Sequence, residues 1–296
     1  MANAKGLLPP LCGLLVLWGA VLRAQQVPAA VISDPPAYEP FPAVLVPTTV
    51  PSHGVDMDAL FYLASGSEPH GTVLLLHGLP GYESNGDLAQ SIRRAGWHVM
   101  IFHYRGAWGT AGAFSASSAI EDTAEAVRFL RDPANAAKYH ADPHKLAIVG
   151  HSFGGFLAGY EASHDPAIRA VAMISAVNLG TINADPKERE SRLQRWEKQL
   201  HPIRGSTAPD LFREAALHST DWDYVKWAEP LCARPTLLVE ADDQNHADME
   251  GLGAAMMQKG CSGLEKESLS TDHSFSDRRI ALQTIVVNWL EKLRTP

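Results

Sequence analysis

Beyond about residue 70 the chain alternates short, uninterrupted apolar runs with longer segments whose apolar positions recur every three or four residues. The first pattern predicts strands buried on both faces, the second amphipathic helices. Strands are expected over 72–76, 98–104, 145–149, 170–175, 236–241 and 266–270, with helices over 88–95, 119–131, 153–162, 247–259 and 278–293. That order points to an α/β fold: a mostly parallel central sheet with helices on both faces. Ahead of it, the proline-rich stretch through Pro28, Pro35, Pro36, Pro40 and Pro42 reads as extended. Strand-like runs follow at 43–46 and, with period-two alternation, at 58–63.

The alternation stops near Val177 and resumes at Pro235. The segment 177–231 is charged and helical in pattern, and is expected to lie over the sheet edge as a cap. A helix opening near Asp185 and Pro186 sets Leu193, Trp196 and Leu200 on one face. Asp210 and Asp221 are candidate starts for two shorter helices. Glu188, Glu190 and Glu197 interleaved with Lys187, Arg189, Arg192, Arg195 and Lys198 read as a solvated face. Trp196, Trp222, Tyr224 and Trp227 fit either a pocket lining or burial of the cap against the sheet.

With 296 residues and 46% apolar composition the chain can bury one large core, so a single catalytic domain over 25–296 is expected. Residues 1–24 differ: Lys5 precedes an almost uncharged stretch, and Ala20 and Ala24 offer small residues near a cleavage point. This reads as a secretory signal peptide, too short and too proline-interrupted for a stable membrane span. Export to the periplasm or the extracellular space follows. The net charge of −8 argues against nucleic acid as a partner. Cys232 and Cys261 then fall where a disulfide can persist, and the topology brings both to one end of the sheet; two buried thiols are the other reading.

The candidate chemistry sits where strands end. Gly150-His151-Ser152-Phe153-Gly154 lies between a predicted strand and a predicted helix, the context of a nucleophile elbow. Reading the other strand ends in order gives His77-Gly78-Leu79-Pro80-Gly81, Arg105-Gly106, Asp242-Asp243 and Asp272-His273. A serine nucleophile needs a base, and the base needs a carboxylate to fix its tautomer. His273 is the base candidate. Asp242, the first residue past its strand, is the preferred acid, with Asp243 as the alternative. The oxyanion of an acyl transfer needs fixed N–H donors; Phe153 is one candidate and Leu79 the other, because Pro80 has no N–H. His77 reads as a loop-orienting side chain. His140 and His144 lack the H-E-x-x-H pattern and make no case for zinc.

The H-G-x-P-G loop at 77–81, the G-H-S-F-G-G elbow at 150–155, the acid after strand 236–241 and His273 ahead of the last helix resemble the α/β-hydrolase superfamily. Tyr104-Arg105-Gly106 and Ala241-Asp242-Asp243 are most similar to its prolyl-oligopeptidase and serine-aminopeptidase branches. The resemblance implies Ser152 as nucleophile, His273 as base, Asp242 as acid, Leu79 and Phe153 as oxyanion donors, and no cofactor. Together with the leader reading, the strand-end residues make an exported serine hydrolase acting on carboxylic esters or related small acyl substrates the leading expectation. A peptidase on short peptides and a non-catalytic binding protein of the same fold are the competing expectations.

Overall fold

The computed structural model describes residues 26–294, so the leader reading of 1–24 lies outside the described residues. The strands are β1 (Val44–Ser52), β2 (Val55–Leu63), β3 (His70–Leu76), β4 (His98–Phe102), β5 (Ala141–His151), β6 (Ala170–Ile174), β7 (Thr236–Ala241) and β8 (Leu264–Leu269). They form one eight-stranded sheet in the order β1-β2-β4-β3-β5-β6-β7-β8. β2 pairs antiparallel with both β1 and β4, and from β4 to β8 every pairing is parallel.

The helices are α1 (Ala29–Ile32), α2 (Gly86–Arg94), α3 (Ala116–Arg131), α4 (Pro133–Tyr139), α5 (Phe153–His164), α6 (Pro186–Gln199), α7 (Ala208–Leu217), α8 (Ala228–Leu231), α9 (His246–Gln258) and α10 (Arg279–Lys292). Alternate strand residues feed two cores, as a parallel sheet covered on both faces requires. Val73, Leu75, Val149 and Val239 pack with α2 and α10 through Ile92, Val286 and Trp289. Leu74, Leu76, Ile148 and Met173 pack on the opposite face with Phe156 of α5 and Val127 of α3. Among the described residues no helix is long and apolar enough to cross a membrane.

Several boundaries differ from the expected ones for physical reasons. β1 runs through Pro47 and Pro51 to a hairpin at His53 and Gly54, both at positive φ (45° and 82°). Prolines are tolerated there because β1 is an edge strand and needs no donor on its open side. The proline-rich lead is not wholly extended, since α1 interrupts it and packs on α2 and α10, where Arg94 Nε donates to Ala30 O at 2.6 Å. In segment 177–231, α7 is capped by Thr207, and Asp210 is the third residue of its capping box rather than its start. The 3₁₀ turn Tyr224–Trp227 is capped by Asp223, not Asp221.

That segment is stitched to the loop after β4. Ala107 and Ile203 form an antiparallel bridge, Arg204 N donates to Gly106 O at 2.8 Å, and Phe114 N donates to Arg204 O at 2.8 Å. At the far end of the sheet Cys232 and Cys261 are joined in a disulfide, with Cα atoms 4.8 Å apart. The bridge closes a 29-residue separation between α8 and the end of α9. Chain-entropy arguments give such a loop about 3.6 kcal/mol of stabilisation. Replacing both cysteines by serine is expected to lower the unfolding free energy by about that much, read from denaturant curves of the two proteins; equal unfolding free energies would overturn the estimate.

Candidate active site

The elbow is built by close backbone approach. A methyl group at Gly150 would lie 1.9 Å from Gly154 O, and one at Gly154 would lie 2.1 Å from Leu76 O. No side chain fits at either place, so the strand can turn directly into α5. Ser152 at the turn holds φ 60°, ψ −118°, a conformation non-glycine residues rarely adopt. Ser152 N is anchored on Ile174 O at 2.9 Å, and Ser152 O accepts from Val177 N at 3.1 Å. The strained residue is thus fixed by the end of β6.

His273 follows β8 and places Nε2 2.9 Å from Ser152 Oγ. Its Nδ1 lies 2.6 Å from an oxygen of Asp243, whose side chain is 5% exposed. Asp243, not Asp242, therefore meets the imidazole. The one-residue correction has a simple cause: Asp242 N still pairs with Thr271 O at 3.1 Å, which carries the β7–β8 ladder past Ala241. The exposed Asp242 carboxylate instead accepts from Ser270 Oγ at 2.6 Å. The chain then turns, Asp243 N donating to Ala241 O at 2.8 Å, and delivers Asp243 inward.

A fourth residue joins the group without any signal in the sequence. Ser175, buried and at φ 41°, donates its hydroxyl to Asp243, and its Oγ lies 2.9 Å from His273 Nδ1. Asn245 completes the ring: its N–H donates to Asp243 Oδ1 at 2.8 Å and its Nδ2 to Ser175 O at 2.9 Å. Burial alone would raise the Asp243 carboxyl, but the hydrogen bonds from His273 and Ser175 outweigh it and hold the group below its ordinary value. Asp243 is thus a carboxylate, as an imidazolium partner requires.

The His273 loop is tied down from below. Arg279 grips Asp87 through Nε at 2.8 Å and Nη2 at 2.5 Å, and its Nη1 donates to Ser274 O at 3.0 Å. His151 lies under the His273 ring, centroids 4.8 Å apart, and donates Nε2–H to His273 O at 2.7 Å.

Leu79 and Phe153 both border the cavity that contains Ser152 and His273. Phe153 is the first residue of α5, so its N–H has no partner within the helix. The 77–81 loop passes against Ser152: a methyl group at Gly78 would lie 3.0 Å from Ser152 Cβ. His77 shapes that loop, with Nδ1 donating to Gly78 O at 2.8 Å and Tyr104 OH donating to His77 O at 3.0 Å. Burial depresses His77 to about 4, which keeps it neutral.

The cavity has two limbs meeting at Ser152 and His273. One of about 230 Å³ lies under α6 and is lined by Val177, Arg192, Arg195, Trp196 and Gln199. The other, of about 180 Å³, opens past Pro80 and Glu83 to Tyr82, which is 60% exposed. Of the cap aromatics only Trp196 borders these limbs. Trp222 and Trp227 are buried on Phe156 of α5, and Tyr224 OH donates to Ala176 O at 3.0 Å. Away from the site, Glu240, His246 and Glu250 bring their ligand atoms within 4.8 Å of one another. Lys266 Nζ already supplies a cation there, 3.4 Å from Glu240 and 3.1 Å from Glu250.

A family model described as the alpha/beta hydrolase fold matches residues 71–208. An esterase from Pyrobaculum calidifontis superposes with a TM-score of 0.64 at 16% identity, covering 87% of this chain and 88% of the esterase. EstE1, a thermophilic carboxylesterase from a metagenomic library, gives 0.63 at 18% identity over 90% and 93% of the two chains. The acylaminoacyl peptidase of Pyrococcus horikoshii gives 0.59 at 15% identity, with 84% of this chain covering 41% of that one. No curated protein matches the sequence. Sheet order, family model and superpositions agree on the α/β-hydrolase fold.

Proposed function

We propose that this protein is a serine hydrolase of carboxylic esters, working through a covalent acyl-enzyme. The observation that carries the reading is the continuous relay from Ser152 Oγ through His273 to the ionised Asp243. In this mechanism His273 Nε2 takes the hydroxyl proton as Ser152 Oγ bonds to the acyl carbon. The carbonyl oxygen becomes an oxyanion that the N–H groups of Leu79 and Phe153 stabilise. The acyl C–O bond then breaks and the departing alcohol takes the proton from His273. Water, deprotonated by the same imidazole, attacks the acyl-enzyme and releases the acid, returning Ser152 to its starting state.

The likeness to two esterases favours esters, and the likeness to an acylaminoacyl peptidase keeps amides as the second reading. The same relay would serve both, but an amine leaving group demands far more of the proton donor. The cystine Cys232–Cys261 supports export to an oxidising compartment, where such bridges persist.

The test is a fluorophosphonate probe, which should label the native protein at Ser152 and fail to label Ser152→Ala. Labelling of both to the same extent would overturn the assignment, and faster turnover of matched aminoacyl amides than of esters would move the substrate class to peptides. A fold that merely binds would give neither label nor turnover.

A further inference from the structure

The limb under α6 carries an unusual charge. Arg192 is only 8% exposed, yet it has no carboxylate within ion-pairing distance among the described residues. Its guanidinium donates to neutral acceptors, Gln244 O at 2.7 Å and Asn245 Oδ1 at 3.1 Å. Arg195, one turn further along the same helix, borders the same limb with neither a hydrogen bond nor an ion pair among the described residues. No acidic side chain lines the limb, because Asp243 is shut behind His273.

Neighbouring cations on the helix are disposed differently. Arg189 donates to Asn183 and stands over the Phe212 ring, while Lys187 and Lys198 are exposed. Asp248, Glu188 and Asp243 act on Arg192 only from beyond ion-pairing distance and none of them lines the limb, while Arg195 beside it adds repulsion, so burial still leaves the guanidinium costly to hold there. In a protein whose overall charge is −8, such a pair next to the reacting serine calls for an anion from outside. The planar guanidinium fork matches a carboxylate in particular, through two parallel hydrogen bonds.

We infer that the substrate carries a carboxylate on the limb that lies under α6, held by Arg195 with the field of Arg192 behind it. The inference rests on the serine-hydrolase reading and narrows it to monoesters of dicarboxylic acids or esters of acidic alcohols. The carboxylate is a spectator: the bonds made and broken at the ester carbon are unchanged. A small limb of about 230 Å³ suits a short acidic chain rather than a fatty acyl group.

Two matched pairs of chromogenic esters test it on the intact protein. For the acyl side, 4-nitrophenyl hemiglutarate is compared with its methyl ester; for the alcohol side, 3-carboxy-4-nitrophenyl butyrate is compared with 4-nitrophenyl butyrate. In one pair the anionic ester should be preferred at least tenfold in kcat/KM, and which pair responds identifies the limb's occupant. Arg195→Gln should bring that ratio close to one, Arg195→Lys should retain part of it, and Lys187→Gln on the solvent side should leave it as in the native protein. Equal or faster hydrolysis of the neutral ester in both pairs, with turnover still lost in Ser152→Ala, overturns this inference alone. Absence of any ester turnover together with absence of phosphonate labelling removes the hydrolase reading and the inference with it.

Discussion

Asp243→Asn is expected to lower kcat by about 10³–10⁴-fold on any substrate the protein turns over, while Asp242→Asn leaves it within about twofold. An asparagine can present its NH₂ to His273 Nδ1, which places the imidazole proton on Nε2 and leaves no lone pair toward Ser152. The carboxylate also stabilises the imidazolium formed during attack, and the 2.6 Å contact to Nδ1 is the shortest path for that interaction. Asp242 is exposed and engaged with Ser270, so its loss touches none of the reacting atoms. Steady-state rates of the two variants, with circular dichroism to verify folding, decide between the carboxylates. A larger loss in Asp242→Asn would reverse the assignment. Ser175→Ala should fall between them, at roughly tenfold, since Asp243 keeps its bond from Asn245 N when the Ser175 hydroxyl is gone.

Acid should unfold this protein well above the pH at which its carboxylates titrate. Burial holds His77 and His98 down at about 4 and His151 at about 3, against 6.5 for an unhindered imidazole. In each the hydrogen-bond pattern fits the neutral ring. His98 accepts from Ala64 N at Nδ1 (3.0 Å) while Nε2 donates to His140 O (3.2 Å), and His151 Nδ1 is buried without a partner. The sign follows from linkage: the unfolded chain protonates these rings below pH 6.5 and the folded one does not. Their contribution is whole above pH 6.5 and is lost as pH falls toward 4, by about 3 kcal/mol or more for each ring.

Glu161 works in the opposite direction. Burial, with Asp165 nearby, raises it to about 7, so the fold gains stability as pH drops from 7 toward 4.5. Burial raises Glu240 and Asp248 as well and lowers His103, so four rings stand against three carboxyls, and the net stability is expected to fall between pH 6.5 and 4.5. Denaturant midpoints measured across that range should fall, and His98→Gln should reduce the slope by close to one proton. Constant stability from pH 7 to pH 4.5 would refute the argument.

Much of this architecture could be read from the residues because the relevant constraints are local. The sheet is parallel and covered on both sides, so its strands announce themselves as unbroken apolar runs, and the elbow needs glycines that nothing else can replace. Features resting on a single residue of register or on tertiary pairing left weaker traces. Asp242 and Asp243 differ only in how far the β8 ladder extends, which depends on Thr271 rather than on either aspartate. Ser175 is one more serine after an apolar strand, and its role exists only because β7 and β8 bring Asp243 and His273 beside it. Arg192 and Arg195 sit among alternating charges that look solvated; only the docking of α6 over Ser152 removes one of them from water. β1 was obscured by Pro47 and Pro51, which an edge position makes harmless.

The backbone bridge between Ala107 and Ile203 means that the roof over the reaction chamber is not a detachable lid. Anyone exchanging segment 177–231 for its counterpart in another chain of this fold would have to transplant two separated pieces, 177–231 and the loop around 106–114, as one interchangeable unit. A graft of the first piece alone would leave the Gly106 carbonyl and the Phe114 amide stranded at the rim, with the new roof hinged on one side only.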